Sequence, residues 1–203
     1  GLCSHLLYIQ REKNMKFETQ ALHAGHRIDQ ATLSRAIPVY RTSSYVFKDT
    51  EHAANLFALK ELGNIYTRIG NPTQNILEQR VAALEGGAAA LALSSGTSAI
   101  FYTIINICAA GDEVVAANNL YGGTFAQFDS ILPQLGINVH LVDPSSPDNF
   151  AAAINEKTRV IYCETIGNPA LNMIDIEAVA KVAEQHNLPL VVDSTFTPPC
   201  LFK

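Results

Sequence analysis

The chain has 203 residues, 48% hydrophobic and 16% charged, with 14 Lys and Arg against 19 Asp and Glu for a net charge of −5. That balance excludes a disordered chain and supplies one sizeable core, or one domain with part of another. A mildly acidic chain without a Lys/Arg-rich block argues against nucleic acid as a partner.

The opening residues, Gly1 to Asn14, hold a short apolar piece (Leu6 to Ile9) followed by Arg11, Glu12 and Lys13. A signal peptide would carry its positive charge first. Met15 then opens what reads as a natural start, so residues 1–14 are expected to be an upstream extension or an expression remnant. Residues 15–48 show little periodicity and many polar side chains, the pattern of an extended arm. Asp49 or Thr50 can cap a helix over Glu51–Leu62, with Ala53, Leu56, Phe57 and Leu59 as its apolar face and Gly63 as its end. Asn71-Pro72 opens the next helix, Leu77, Val81 and Leu84 recur at i, i+4 and i+7, and Gly86-Gly87 stops it.

From Ala88 onward short apolar runs alternate with helical patterns. Strands are predicted at Ala88–Leu93, Glu113–Ala117, Ile137–Val142, Val160–Cys163 and Leu190–Val192. Helices are predicted at Ser98–Ala109, from Gly123 to about Leu135 with Pro133 bending the last turn, and near Asp148–Glu156 and Asp175–His186. Such alternation predicts an α/β fold with a parallel or mixed sheet covered on both faces. No apolar run reaches the roughly 18–20 residues of a membrane span. The cysteines Cys3, Cys108, Cys163 and Cys200 stand far apart, in no CxxC or metal spacing. They read as reduced thiols of a cytoplasmic protein, and no metal site is expected.

Chemistry-bearing residues gather where strands end. Ser94-Ser95-Gly96-Thr97 joins a strand to a helix start, where free N–H groups and the helix dipole favour an anion. A tight turn of small residues explains it equally well. Neither a G-x-G-x-x-G nor a G-x-x-x-x-G-K-[ST] pattern is present, which argues against NAD and nucleoside triphosphates. Asp193 closes the run Leu188–Val192, and Glu164 closes Arg159–Cys163. Both carboxylates sit where open α/β sheets hold ligands, although a cap would use the same residue types. Asn168-Pro169 follows Glu164, and Tyr121-Gly122-Gly123 follows another strand. Between two helices, Tyr66-Thr67-Arg68 offers a guanidinium fork suited to phosphate; a surface Arg beside a packing Tyr is the plainer alternative.

Five blocks carry a resemblance: Tyr66–Thr73 (YTRIGNPT), Ser94–Ile100 (SSGTSAI), Asn119–Thr124 (NLYGGT), Glu164–Pro169 (ETIGNP) and Val191–Phe196 (VVDSTF). In residues, order and spacing they resemble the Cys/Met-metabolism pyridoxal-phosphate enzymes of trans-sulfuration, over nearly all of Met15–Lys203. Phe17–Gly25 and Ala53–Arg68 look most like the O-acetylhomoserine sulfhydrylases of that family. The resemblance implies an aspartate-aminotransferase-like (fold type I) large domain, truncated here, with a mostly parallel sheet. It implies an oligomer-contacting arm over 15–65 and the first part of the cofactor domain over 66–203, with the C-terminal domain absent.

It also implies roles. Gly96 and Thr97 would give N–H groups to the cofactor phosphate, and Tyr66 and Arg68 would reach the phosphate of a neighbouring subunit. Tyr121 would stack on the pyridine ring and assist at the γ-leaving group. Asp193 would hold the pyridine nitrogen protonated, Asn168 would bond the ring hydroxyl, and Glu164 would support that loop.

The family's Schiff-base lysine follows the strand aspartate inside Ser-x-Thr-Lys, and none of Lys13, Lys16, Lys48, Lys60, Lys157, Lys181 and Lys203 has those neighbours. The chain is therefore expected to be an N-terminal portion, inactive alone. For the full-length transferase the implied reaction is γ-replacement on O-acetyl-L-homoserine by sulfide or a thiol, giving homocysteine or methionine, in a cytoplasmic homotetramer with shared active sites. The alternatives are a γ-lyase or cystathionine γ-synthase of the same family, or a non-catalytic fragment acting only as a partner subunit.

Overall fold

The computed structural model describes residues 15–203; the expected extension at 1–14 lies outside them. The chain forms two compact units, one running to Ala92 and including Lys203, the other Leu93–Phe202.

The first unit holds three helices: α1 (Phe17–His23), α2 (Thr50–Phe57) and α3 (Pro72–Glu85). Helix α1 lies in the stretch expected to be extended, which corrects that expectation for 17–23. It packs on α3, and Arg80 Nε donates to the Ala24 carbonyl at 2.9 Å. Asp49 caps α2 by accepting from the His52 N–H at 2.7 Å. This helix ends at Phe57, short of the expected Leu62, and Leu59 turns to φ 54°. Asn71 caps α3 by accepting from the Thr73 N–H, Pro72 opens it, and Gly86 at φ 67° closes it. Ala88–Leu93 forms no strand, and the sequence expectation fails there. An apolar run becomes a strand only where a neighbour takes its backbone groups; here the Ala92 N–H donates instead to Glu78 Oε1 at 2.9 Å.

In the second unit the order is α4 (Gly96–Ile107), β1 (Glu113–Ala117), α5 (Gly122–Ala126), a π-helical turn (Gln127–Ile131), α6 (Leu132–Gln134), β2 (Asn138–Val142), α7 (Pro147–Ala153), β3 (Thr158–Glu164), α8 (Ile176–Gln185) and β4 (Leu190–Asp193). The four strands are parallel in the order β2-β1-β3-β4. The central pair β1 and β3 is apolar and almost wholly buried, as a sheet interior requires. Pro133 has no N–H for the Asp129 carbonyl, and the helix widens immediately before it: the Leu132 N–H bonds Gln127 O. Phe128, on that wide turn, meets Tyr162 of β3 edge-on, ring centroids 4.8 Å apart.

Burial pushes the thiols of Cys108 and Cys163 up to about 11 and about 12, so both behave as small core residues, while Cys200 is exposed. Among the described residues no helix is long and apolar enough to cross a membrane, and no cluster of three or more His, Cys, Asp or Glu assembles that could hold a metal.

At the N-terminal end of β1 the buried Glu113 carboxylate accepts from Asn155 Nδ2 at 2.7 Å and meets His140 Nε2 at 2.6 Å. These bonds, Asn155's first, hold its pKa below the usual carboxylate value. A carboxylate depressed in the fold stabilises it above the ordinary Glu pKa, and that contribution is lost as pH falls through the depressed value. Melting temperatures measured between about pH 6 and pH 3 should therefore fall less for Glu113→Gln than for the natural chain; parallel curves would remove Glu113 from the acid response.

Candidate cofactor site

The connection after β1 leads to β2 on one side of it, and the connection after β3 leads to β4 on the other. The C-terminal ends of β1 and β3 thus flank a switch point, the crevice where open parallel sheets hold ligands. Tyr121 lies in the loop after β1, Glu164 is the last residue of β3, and Asp193, the last of β4, is its register partner.

Across that crevice the Tyr121 N–H donates to Glu164 Oε1 at 2.8 Å. Glu164 thus supports the Tyr121 loop after the neighbouring strand, and not the Asn168 loop as the resemblance implied. Burial raises its pKa, the Tyr121 N–H opposes that, and the Asp193 charge adds to it. The Tyr121 ring lies over Gly123, where a Cβ would come 2.6 Å from Cε1. The absence of a Cβ there is what lets the ring approach so closely. Half-exposed, the ring can swing away, so Gly123→Ala should leave the melting temperature unchanged and weaken binding of the cofactor that the resemblance implies by about tenfold, the size of a modest overpacking penalty. Unchanged affinity by absorbance titration would show that the ring's seat on Gly123 does not matter.

Asp193 divides its two oxygens. Oδ1 accepts from the Thr195 N–H at 2.9 Å and the Thr195 hydroxyl at 2.5 Å, the turn-capping role of the plainer alternative. Among the described residues Oδ2 has only the Tyr162 hydroxyl, at 3.5 Å, the outer limit of hydrogen bonding, and is left to a further donor. Half-buried Asn168 stands in a tight loop closed by the Gly167 N–H to Asn172 C=O bond of 2.9 Å and an Ile166–Met173 bridge.

At the start of α4, Ser95 caps the helix through the Ser98 N–H. Among the described residues the Gly96 and Thr97 N–H groups have no acceptor, and a Cβ on Gly96 would meet nothing within 4 Å. Two donors without acceptors among the described residues thus stand at an exposed helix N-terminus. Gln127 Nε2 donates to the Thr97 carbonyl at 3.0 Å, tying this end of α4 to the helix that Tyr121 begins.

In the first unit, the Thr67 N–H donates to Ser43 O at 2.9 Å and a Ser44–Tyr66 bridge pairs the two segments. The Arg68 guanidinium stands 5.2 Å from the Tyr66 ring centroid, without a carboxylate partner among the described residues. Both line an open depression of about 600 Å³ with Tyr40, Arg41, Thr42, Ser43 and Thr67.

Free N–H groups for a phosphate, an aromatic face, an uncommitted carboxylate oxygen and an amide form a donor set that fits a pyridine bearing a phosphate. Sequence reasoning missed two members of the setting. Gln127 lies within a helical pattern like any surface glutamine, and Tyr162 reads as one more apolar strand residue. The available signal was a hydroxyl-tipped aromatic in a strand that ends on a carboxylate.

Residues 18–203 match the model of the Cys/Met metabolism PLP-dependent enzyme family. The chain is 57% identical over 189 residues to an O-acetyl-L-homoserine sulfhydrylase of Leptospira meyeri, covering 93% of this chain and 43% of that protein. It superposes on the crystal structure of an O-acetylhomoserine (thiol)-lyase-like protein of Campylobacter jejuni that carries a pyridoxyl-lysine monophosphate. That match has a TM-score of 0.88 and 36% identity, over 92% of this chain and 46% of the other. A cystathionine gamma-lyase of Lactobacillus plantarum complexed with L-serine gives a TM-score of 0.82 at 37% identity, over 91% of this chain and 46% of the other. The chain thus spans less than half the length of these relatives. With the family model matched along nearly the whole described chain, and the same fold type I architecture in its neighbours, the chain belongs to the Cys/Met metabolism PLP-dependent enzymes.

Proposed function

We propose that the whole protein is a pyridoxal-phosphate-dependent transferase that exchanges the γ-acetoxy group of O-acetyl-L-homoserine for sulfide or a thiol, releasing acetate and giving homocysteine or methionine. The observation that carries this reading is the Tyr121 N–H to Glu164 bond at the β1/β3 switch point, beside the register partner Asp193. The similarity to sulfhydrylases supports the choice of substrate. We also propose residues 15–65 as an oligomer-contacting arm and 66–203 as the first part of the cofactor domain, within a cytoplasmic homotetramer.

Bound pyridoxal phosphate supplies an electron sink for charge developing at the substrate's α-carbon. The Gly96 and Thr97 N–H groups bind its phosphate, joined by Tyr66 and Arg68 from a neighbouring copy. Tyr121 covers one ring face and excludes water from it. Asp193 Oδ2 keeps the proton on the pyridine nitrogen, and Asn168 orients the ring through its hydroxyl. Near the γ-carbon, the Tyr121 hydroxyl would hold or pass a proton.

The test is to incubate the whole enzyme with O-acetylhomoserine and sulfide, following homocysteine and acetate. Equal release of the two supports the reading. The similarity to a cystathionine gamma-lyase favours γ-elimination as the second reading. Formation of 2-oxobutyrate from cystathionine or methionine, without replacement activity, would establish it instead. A protein with neither activity would be the non-catalytic partner.

A further inference from the structure

Two residues that no role has yet claimed meet between the loops of the crevice. Asn119 lies two positions before Tyr121, and Gly167 one position before Asn168. A Cβ on Gly167 would stand 2.3 Å from Asn119 Nδ2, 3.0 Å from Asn119 Cγ and 2.6 Å from Asn172 Oδ1. Gly167 does not have a positive φ, so the glycine is needed for room and not for backbone angle. Asn172 is exposed and can swing into solvent. The Asn119 amide cannot, because both its nitrogen and its oxygen are buried.

Neither Asn119 Oδ1 nor Nδ2 has a hydrogen-bond partner among the described residues. A buried amide left unpaired is costly, so the Asn119–Gly167 contact is one of shape and not of hydrogen bonding. The Asn168 loop closes its backbone on itself, through the Gly167 N–H to Asn172 C=O and the Leu171 N–H to Gly167 C=O, both 2.9 Å. Toward the β1 loop, the Asn119 side chain fills the space a residue-167 side chain would occupy.

We infer that Asn119, seated on Gly167, is a positioning residue that sets the spacing between the Tyr121 and Asn168 loops and so the width of the cofactor crevice. The inference rests on the pyridoxal phosphate reading above. It makes a steric pair, in which enlarging one member is relieved by shrinking the other.

The experiment is a double-mutant cycle in the whole protein, read by pyridoxal phosphate titration and by the melting temperature without cofactor. Gly167→Ala should weaken cofactor binding by about tenfold or more, and adding Asn119→Ala should restore it to within about threefold of Asn119→Ala alone. Asn119→Leu, of the same branched shape without polar atoms, should bind as the natural protein does. Losses that simply multiply in the pair, or an Asn119→Leu protein as weak as Gly167→Ala, would overturn the inference. A natural protein that takes up no cofactor would overturn the proposed function. The melting-temperature cycle still reads the steric pair in that case, and additive shifts there would overturn it.

Discussion

Asp193→Asn should leave pyridoxal phosphate bound and cut turnover of the whole enzyme by roughly 10²–10⁴-fold, the range seen when a carboxylate that fixes a ring's protonation is neutralised. The amide keeps the shape, and its oxygen can still accept from Thr195 in place of Oδ1. The turn after β4 therefore survives, and the melting temperature should hold within a degree or two. What is lost is the negative charge at Oδ2, the oxygen with no short bond of its own. On the proposed reading, the pyridine nitrogen would then keep no proton and the ring would draw electrons less strongly. Steady-state kinetics with cofactor in excess separates the outcomes. Full turnover in the variant would mean that Asp193 is only a turn cap.

Phe128→Ala should destabilise the second unit by about 3–5 kcal/mol, the usual result of removing a buried aromatic that its surroundings cannot collapse around. Phe128 is 1% exposed and packs edge-on against Tyr162, itself wholly buried. Its carrier, the π-helical turn, also bears Gln127, whose amide holds the Thr97 carbonyl. The loss should therefore extend to the N-terminal end of α4, and on the proposed reading weaker cofactor retention should accompany the lower stability. Denaturant unfolding measures the first effect and titration the second. A change below about 1 kcal/mol would show that the turn repacks freely.

Much of this was legible because particular residues leave little choice. Asn71-Pro72 and Gly86 bracket α3 where a cap, an N1 proline and a left-handed closure belong. The apolar runs of β1 and β3 are what a doubly covered parallel strand must be. Glu164 and Asp193 were recognisable as strand-end carboxylates, and the five blocks gave the family that the comparison bears out. Pairing was not legible. Composition does not say which strands are neighbours, so Ala88–Leu93 looked as good a strand as Val160–Cys163. For the same reason the partner of Glu164 could not be read: that Tyr121 lies across from it follows from β1 lying beside β3. Spacing hid the wide turn too, since Pro133 signals a disturbance but not that Gln127 would be turned toward α4. Asn119 and Gly167 gave no warning, because a steric fit has no sequence pattern.

The bond from Tyr121 to Glu164 joins residues 43 positions apart, and that from Tyr162 to Asp193 joins residues 31 apart. Every strand pairing beneath them is a parallel crossover, which closes long loops before any contact rewards it. The crevice therefore has no local precursor: no single helix or hairpin carries it, and it comes into being only when β1, β3 and β4 are all in register. A ligand spanning those strand ends binds the completed fold and nothing earlier. In a cell, supply of such a ligand during synthesis would act on folding yield, drawing newly finished chains out of the aggregation-prone intermediates that slow, non-local topologies populate.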